Sequence, residues 1–299
     1  MDVAVTGSSG LIGSALRPAL EAAGHRVLRL VRHGGGGPDT LRWDPQAGTI
    51  DAAGLEGVGA VVNLAGEGIG DRRWNGDQKA RIRNSRVEGT TLLAETLAKL
   101  SKPPAVLVSG SAIGIYGDRG DEILSEASPP GEGFLGEVCQ AWEAATAPAE
   151  AAGIRVAHLR TGIVLSPEGG ALKKMLFPFK MGLGGRMGSG QQWMSWIAVS
   201  DEVGAIVHLL GEGAPSGPVN ATAPHPVTNA EFTKALGAVY RRPTLMPLPG
   251  AALKLALGAQ MAEELLLGGQ RVLPTKLEAS GYTFRAPELA AALKQLLAA

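Results

Sequence analysis

Short runs of β-branched and other apolar residues recur through the first half of the chain, each followed by a longer stretch with apolar positions three or four apart. Residues 3–5 read as a strand, and residues 11–23, with Leu16 and Leu20 on one stripe, as a helix. Residues 26–31, 61–64, 105–108 and 155–159 read as further strands, with helices predicted at about 77–99 and 138–152. Strands that are apolar on both faces and separated by helices describe a parallel sheet covered on two sides, with right-handed crossovers. The predicted class is α/β.

The pattern changes after residue 165. Residues 183–190 are glycine-rich and must be loop, and helices follow at 229–239, 251–267 and 287–297, with proline-rich joints at 243–249. Residues 34–37 read as a flexible loop where a helix would otherwise sit. The expected division is 1–165 as one domain, with about 190–225 returning to it, and 166–299 as a smaller, mainly helical lobe that walls the substrate site.

Composition narrows the classes. With 45% apolar and 19% charged residues the 299-residue chain can build a core, and its zero net charge argues against nucleic acid as a partner. Cys139 is the only cysteine, so no intrachain disulfide is expected and a reducing compartment fits. No basic segment leads into an apolar run at the N-terminus, and Lys254, Gln260, Glu263 and Glu264 interrupt the most apolar stretch. A cytoplasmic protein with no membrane span, no membrane partner and no metal is the expectation.

The first strand runs into Gly7-Ser8-Ser9-Gly10-Leu11-Ile12-Gly13 and then into a helix. Gly7 permits a tight turn, Gly10 lets backbone approach a pyrophosphate at the helix N-terminus, and Gly13 lets the helix pack on the strand. This predicts an NAD(P)-binding Rossmann fold, against the plainer reading of a strand-to-helix turn. The second strand ends Leu30-Val31-Arg32-His33, without the acid that accepts a ribose 2′-hydroxyl. Arg32 therefore either pairs with the 2′-phosphate of NADP or is a solvated strand end.

Further motifs appear in order: Asn63-Leu64-Ala65-Gly66-Glu67, Arg73-Trp74-Asn75, Ser109-Gly110-Ser111-Ala112, Tyr116-Gly117, Trp142-Glu143, Arg160 to Leu165, and the run 268–274. With the glycine loop, they resemble the extended short-chain dehydrogenase/reductase superfamily, which holds the nucleotide-sugar epimerases. Within it they look like the epimerase-family subgroup of bacterial YfcH type, with its C-terminal helical domain. The resemblance spans essentially the whole chain. It implies NADP contacts at Arg32, Leu64, Ala65, Arg86 and Val164, with Gly66 and Ser109 in the same cofactor-facing motifs.

The superfamily's Tyr-x-x-x-Lys pair is missing: Leu135 falls at the tyrosine and Cys139 at the lysine. Ser111 sits where the partner serine belongs and could bond a substrate carbonyl. Tyr116 offers a phenol or is structural, Cys139 offers a thiol or is inert, and Glu67 is a general base or a loop anchor. Trp193, Trp196 and the loop at 182–190 read either as a lid and substrate wall or, for Trp196, as core. Asp201 reads as a helix cap. Arg72, Arg73, Lys79, Arg81, Arg83 and Arg86 form a solvated basic face or meet a phosphate-bearing ligand. The expected partner is a small substrate, phosphate- or nucleotide-bearing, with room for a homodimer through the long helices. Two functions stand: an NADP-dependent oxidoreductase or epimerase-like enzyme, and an NADP-binding sensor without turnover, linked to cell division.

Overall fold

A computed structural model describes residues 1–32 and 37–298; the glycine loop expected at 34–37 falls outside them except for Gly37, as does His33. Eight strands form one sheet: β1 (Asp2–Thr6), β2 (Arg26–Val31), β3 (Thr40–Asp44), β4 (Thr49–Ile50), β5 (Ala60–Asn63), β6 (Val106–Ala112), β7 (Arg155–Thr161) and β8 (Gly217–Ala221). Their order is β8-β7-β6-β5-β1-β2-β3-β4, parallel throughout except for the antiparallel β3–β4 edge. The order reverses beside β1, so a crevice opens past the C-terminal ends of β1, β2 and β5, where doubly wound sheets bind ligands.

Helices cover both faces. On one side α1 (Leu11–Ala22) and the later helix Val199–Leu209 pack Leu16, Leu20, Ile206 and Leu209 onto Val3, Val5, Val62 and Val108. On the other, Leu93, Ala94 and Leu97 from α2 (Gly76–Ala98) meet Ala4, Leu28, Val61 and Leu107. Burying one such aliphatic side chain is worth about 1.5–3 kcal/mol, so these two layers carry the domain. A third core, around Leu172, Phe179, Trp196, Phe232, Leu236 and Leu293, lies under the second lobe.

Several elements differ from expectation, each for a local reason. The helix expected at 138–152 begins earlier, as α3 (Phe134–Ala144), and restarts at Ala147–Ala151. Pro148 has no N–H to return to Ala144, which breaks the ladder there. The helix expected at 251–267 is cut by Gly258, whose φ of 91° no helix accepts, into Gly250–Leu257, Ala259–Ala262 and a π-turn at Glu263–Leu267. Helix α4 (Gly170–Lys180) and strands β3, β4 and β8 are additions to the sequence reading, while the helix expected at Asp201 is Val199–Leu209.

The lobes interlock. Arg271–Val272 pairs in parallel with Ile123–Leu124. The Glu264 carboxylate accepts from the Phe134 and Leu135 amides at 3.1 and 2.9 Å, satisfying the open start of α3. Asp201 does not cap its helix. It lies fully buried in the first turn, accepting from the Arg285 and Ala286 amides at 2.7 and 2.9 Å and from the Tyr282 hydroxyl, so it clamps the C-terminal segment.

Candidate functional site

The crevice at the sheet reversal encloses about 710 Å³. Its floor is the turn after β1. Gly7 has φ 64°, and a Cβ there would lie 2.7 Å from the Leu64 carbonyl carbon; a Cβ on Gly13 would lie 2.3 Å from the Gly7 oxygen. The turn is therefore closed tightly against the helix and against the loop after β5. Gly10 N–H returns to Gly7 O at 2.9 Å, and Ser14 N–H to Gly10 O at 2.9 Å. The amides of the first helical turn, Leu11 to Gly13, lie before the helix's own ladder and are free to meet an anion.

Thr6 fixes the opposite wall. Its hydroxyl donates to Asn63 Oδ1 at 2.7 Å and accepts from the Leu64 and Ala65 amides at 3.0 and 3.1 Å. Asn63 Nδ2 in turn donates to Thr90 at 2.8 Å on α2, which also takes the Trp142 indole N–H at 2.9 Å. A buried polar chain thus sets the height of Leu64-Ala65-Gly66 over the crevice.

The structure brings Gly7, Ser9, Gly10, Arg32, Leu64, Ala65, Gly66 and Glu67 together on the crevice surface. Leu11 and Val164 both lie against Gly170 and are not among the residues on the crevice surface. Ile12 packs on the core, so only its backbone faces the turn. Ser109 is a correction: it is buried below the wall, its Oγ 3.5 Å from Asn63 Nδ2, and does not line the crevice.

Arg29, absent from the sequence reading, lines the same wall as Arg32. It sits between buried Leu28 and Leu30, and a charge on that alternation was the available signal. Neither arginine pairs with a carboxylate among the described residues; the cation of β2 that does is Arg26, with Asp39 at 2.8 Å.

Arg86 reaches from α2 to the edge of Gly66, where a Cβ would meet its guanidinium at 3.0 Å. The guanidinium lies 5.0 Å from the centroid of the Trp142 ring and donates to the Glu67 and Ile82 carbonyls at 2.9 and 3.1 Å. Burial lowers its pKa, and no carboxylate pairs with it among the described residues. It is a desolvated cation with capacity for an anion.

Three of the four proposed catalytic groups are committed elsewhere. Ser111 Oγ donates to Glu143 at 2.7 Å. Arg160 holds the same carboxylate through Nε and Nη2, both at 2.8 Å, and its Nη1 donates to Tyr116 Oη at 2.9 Å. Burial works against the Arg160 cation, but the bonds to Glu143 outweigh it and its pKa is raised. Tyr116 is fully enclosed, its hydroxyl donating to Asn220 at 2.7 Å, and burial raises its pKa. Enclosure and these bonds match the structural reading of Tyr116 rather than the catalytic one. Cys139 is buried, which pushes its thiol up to about 11 despite nearby Arg86, so it is not a poised nucleophile. Glu67 alone of the four opens onto the crevice.

This network makes a first prediction. Glu143→Ala would strand the Arg160 guanidinium and is expected to destabilise the protein by about 3–5 kcal/mol in urea unfolding. A loss under about 1 kcal/mol would show that water, not protein, balances Arg160.

In the second lobe Trp196 takes the core reading, fully buried with its indole N–H on the His225 carbonyl at 3.1 Å. Trp193 is half-buried, donates to Asp121 at 2.7 Å and carries Arg271 over its ring at 4.3 Å. The glycine-rich loop is pinned rather than free, with Met187 N–H on Asn229 Oδ1 at 2.8 Å and Gly188 N–H on the Leu248 carbonyl at 2.9 Å. Of the basic set, Arg73 packs on Gly258, and Lys79 bonds Gln260 at 2.7 Å and sits over Phe134.

Comparison with known proteins agrees with this geometry. Residues 248–296 match a domain of unknown function, DUF1731. The human epimerase family protein SDR39U1 is 40% identical over 302 residues, covering 100% of each chain, and the epimerase family protein Mb2239 of Mycobacterium bovis is 48% identical over 94% of this chain and 93% of its own. The crystal structure of the human protein (isoform 2), solved with NADPH, superposes with a TM-score of 0.92 at 39% identity over 99% of both chains. Residues 3–221 match the model of the NAD dependent epimerase/dehydratase family, and with a parallel sheet reversing at a glycine cradle the chain belongs to that family.

Proposed function

We propose that the chain binds NADP(H) in the β1–β2–β5 crevice and uses it in an oxidoreductase or epimerase-like reaction on a small, phosphate- or nucleotide-bearing substrate. Residues 1–165, with the returning 190–225, hold the nucleotide, and the rest of 166–299 walls the substrate. The observation that carries the reading is the pair Arg29 and Arg32 on the crevice wall, neither paired with a carboxylate among the described residues and so both open to a phosphate. The NADPH in the human relative supports the same choice. The turn from Gly7 to Gly13 fits a pyrophosphate, since a Cβ on Gly7 or Gly13 would strike backbone at 2.7 and 2.3 Å and open the turn that presents the first helical amides. Arg86 is the cation placed to meet a further negative charge. The nicotinamide would supply hydride transfer, and Glu67, which lines the crevice together with Glu88, is the carboxylate taken here for proton transfer.

Arg32→Ala is expected to weaken NADPH about 10–100-fold by calorimetry, because a charge-assisted hydrogen bond is worth roughly 1.5–3 kcal/mol, and to leave NADH unchanged. Equal affinity of the parent protein for NADPH and NADH would overturn the assignment.

A second reading, an NADP(H)-binding sensor without turnover, is favoured by one observation: Ser111, Tyr116 and Cys139 are all spoken for. The discriminating measurement follows the reduced-nicotinamide absorbance against a panel of carbonyl compounds and sugar nucleotides. Turnover lost in Glu67→Gln with NADPH binding intact supports the enzyme. Tight binding with no absorbance change on any member of the panel supports the sensor.

A further inference from the structure

We propose that the face built from the end of α4 and the 242–248 joint docks on an anionic membrane surface. Phe177 and Met181, 71% and 61% exposed, lie four residues apart along and just past α4, and so on one side of it. Leu183 follows them, and Leu245, Met246 and Leu248 stand out from the proline-rich joint, Leu245 at 83% exposure. The two stretches run side by side. Leu248 N–H donates to the Arg186 carbonyl and Gly188 N–H to the Leu248 carbonyl, both at 2.9 Å, and the missing side chain of Gly185 admits the Met246 carbonyl. Adjacent bulky apolar side chains in this number mark an interaction surface.

Charge selects the occupant. Residues 169–200 contain Lys173, Lys174, Lys180 and Arg186 and no Asp or Glu, in a chain of zero net charge. Residues 232–262 contain Lys234, Arg241, Arg242 and Lys254, again with no acid. Lys174 is tied to Asp71 and Lys254 to Glu263, and the others have no ion-pair partner among the described residues. A second copy would meet this face with the same cations, like against like. A protein partner is favoured by interfaces whose centre is poor in lysine. Lys180, over the Tyr240 ring at the end of α4, and Arg242, beside Gly182, stand next to the protruding Phe, Leu and Met. That suits a headgroup layer: apolar tips enter the acyl boundary while the cations meet lipid phosphates. No helix among the described residues is long and apolar enough to cross a membrane, so the contact is peripheral. Such a contact runs against the expectation of no membrane partner drawn from the sequence.

The test is cosedimentation of the full chain with vesicles of phosphatidylcholine alone or with about one-third phosphatidylglycerol, at low and high salt. Binding is expected only to the anionic vesicles, falling at least tenfold in high salt. At about fivefold per cation, Lys180→Glu with Arg242→Glu should lower the partition coefficient about 25-fold or more. Leu245→Ser with Met246→Ser should lower it about tenfold. Both variants should keep the parent's melting temperature and NADPH affinity, since none of these residues touches the crevice; if either variant melts early, the salt and lipid arms on the parent protein decide. Failure to pellet with either vesicle, equal binding to neutral vesicles, or a dimer dissolved by the Leu245 and Met246 changes would each overturn the proposal. So would retention by an acidic polypeptide and not by vesicles.

Discussion

A single methyl group at residue 13 should remove dinucleotide binding. In Gly13→Ala the new Cβ would fall 2.3 Å from the Gly7 oxygen and 2.7 Å from Ser8 Cα, and both are backbone atoms with nowhere to go. Gly7 cannot yield, because its own φ of 64° and the Leu64 carbonyl hold it from the other side. The helix must then lift away from β1, taking with it the amides that would face a pyrophosphate. The expected result is a loss of NADPH affinity of about 100-fold or more, with about 1–3 kcal/mol of stability lost to overpacking. Calorimetry and thermal melting on the same preparation separate the two effects. Ser9→Ala, on the exposed side of the turn, should change either quantity far less. If Gly13→Ala bound NADPH as the parent does, the turn would not be a phosphate cradle.

The second large effect is a pH dependence set by Glu202. This carboxyl is fully buried at the start of Val199–Leu209; Oε1 accepts from the Thr161 hydroxyl at 2.7 Å, and Oε2 has no partner among the described residues. Burial raises its pKa from 4.5 to about 8. A carboxyl held protonated by the fold favours the folded state fully below about pH 4.5, and that contribution is lost as pH rises through about 8. At roughly 1.4 kcal/mol for each unit of pKa, the whole interval is worth up to about 5 kcal/mol. Glu202→Gln keeps an acceptor for Thr161 and cannot ionise. It brings a second N–H that needs a partner, a cost of about 1–3 kcal/mol. The variant is therefore expected to melt slightly below the parent at pH 5 and clearly above it at pH 9, with the curves crossing in between. Parallel melting curves across that range would mean that Glu202 is already ionised in the fold.

What the sequence discloses here follows the range over which each feature is determined. β1, α1 and β2 were legible because strand, turn and helix are each written in a few consecutive residues. Strand β3 was missed although Thr-Leu-Arg-Trp-Asp alternates as a half-buried strand does, because the pattern is only five residues long and follows the glycine stretch. Strand β8 opens with Gly and Pro, which argue against a strand, and it pairs only because β7 lies alongside. In the site, the glycine cradle and Arg32 were visible locally. Arg29 looked like an ordinary polar position within a strand. The fates of Ser111 and Tyr116 were hidden because their partners, Glu143, Arg160 and Asn220, lie between 32 and 104 residues away.

The carboxylate of Glu264 on the opening amides of α3, together with the pairing of Arg271–Val272 on Ile123–Leu124, bears on how the chain is made. Most of the polypeptide must leave the ribosome before these early segments have their partners. The nucleotide-binding half therefore finishes late in synthesis, with a bare strand edge and an unsealed helix waiting for the tail. Dividing the gene at the seam between the two matched families would part both contacts.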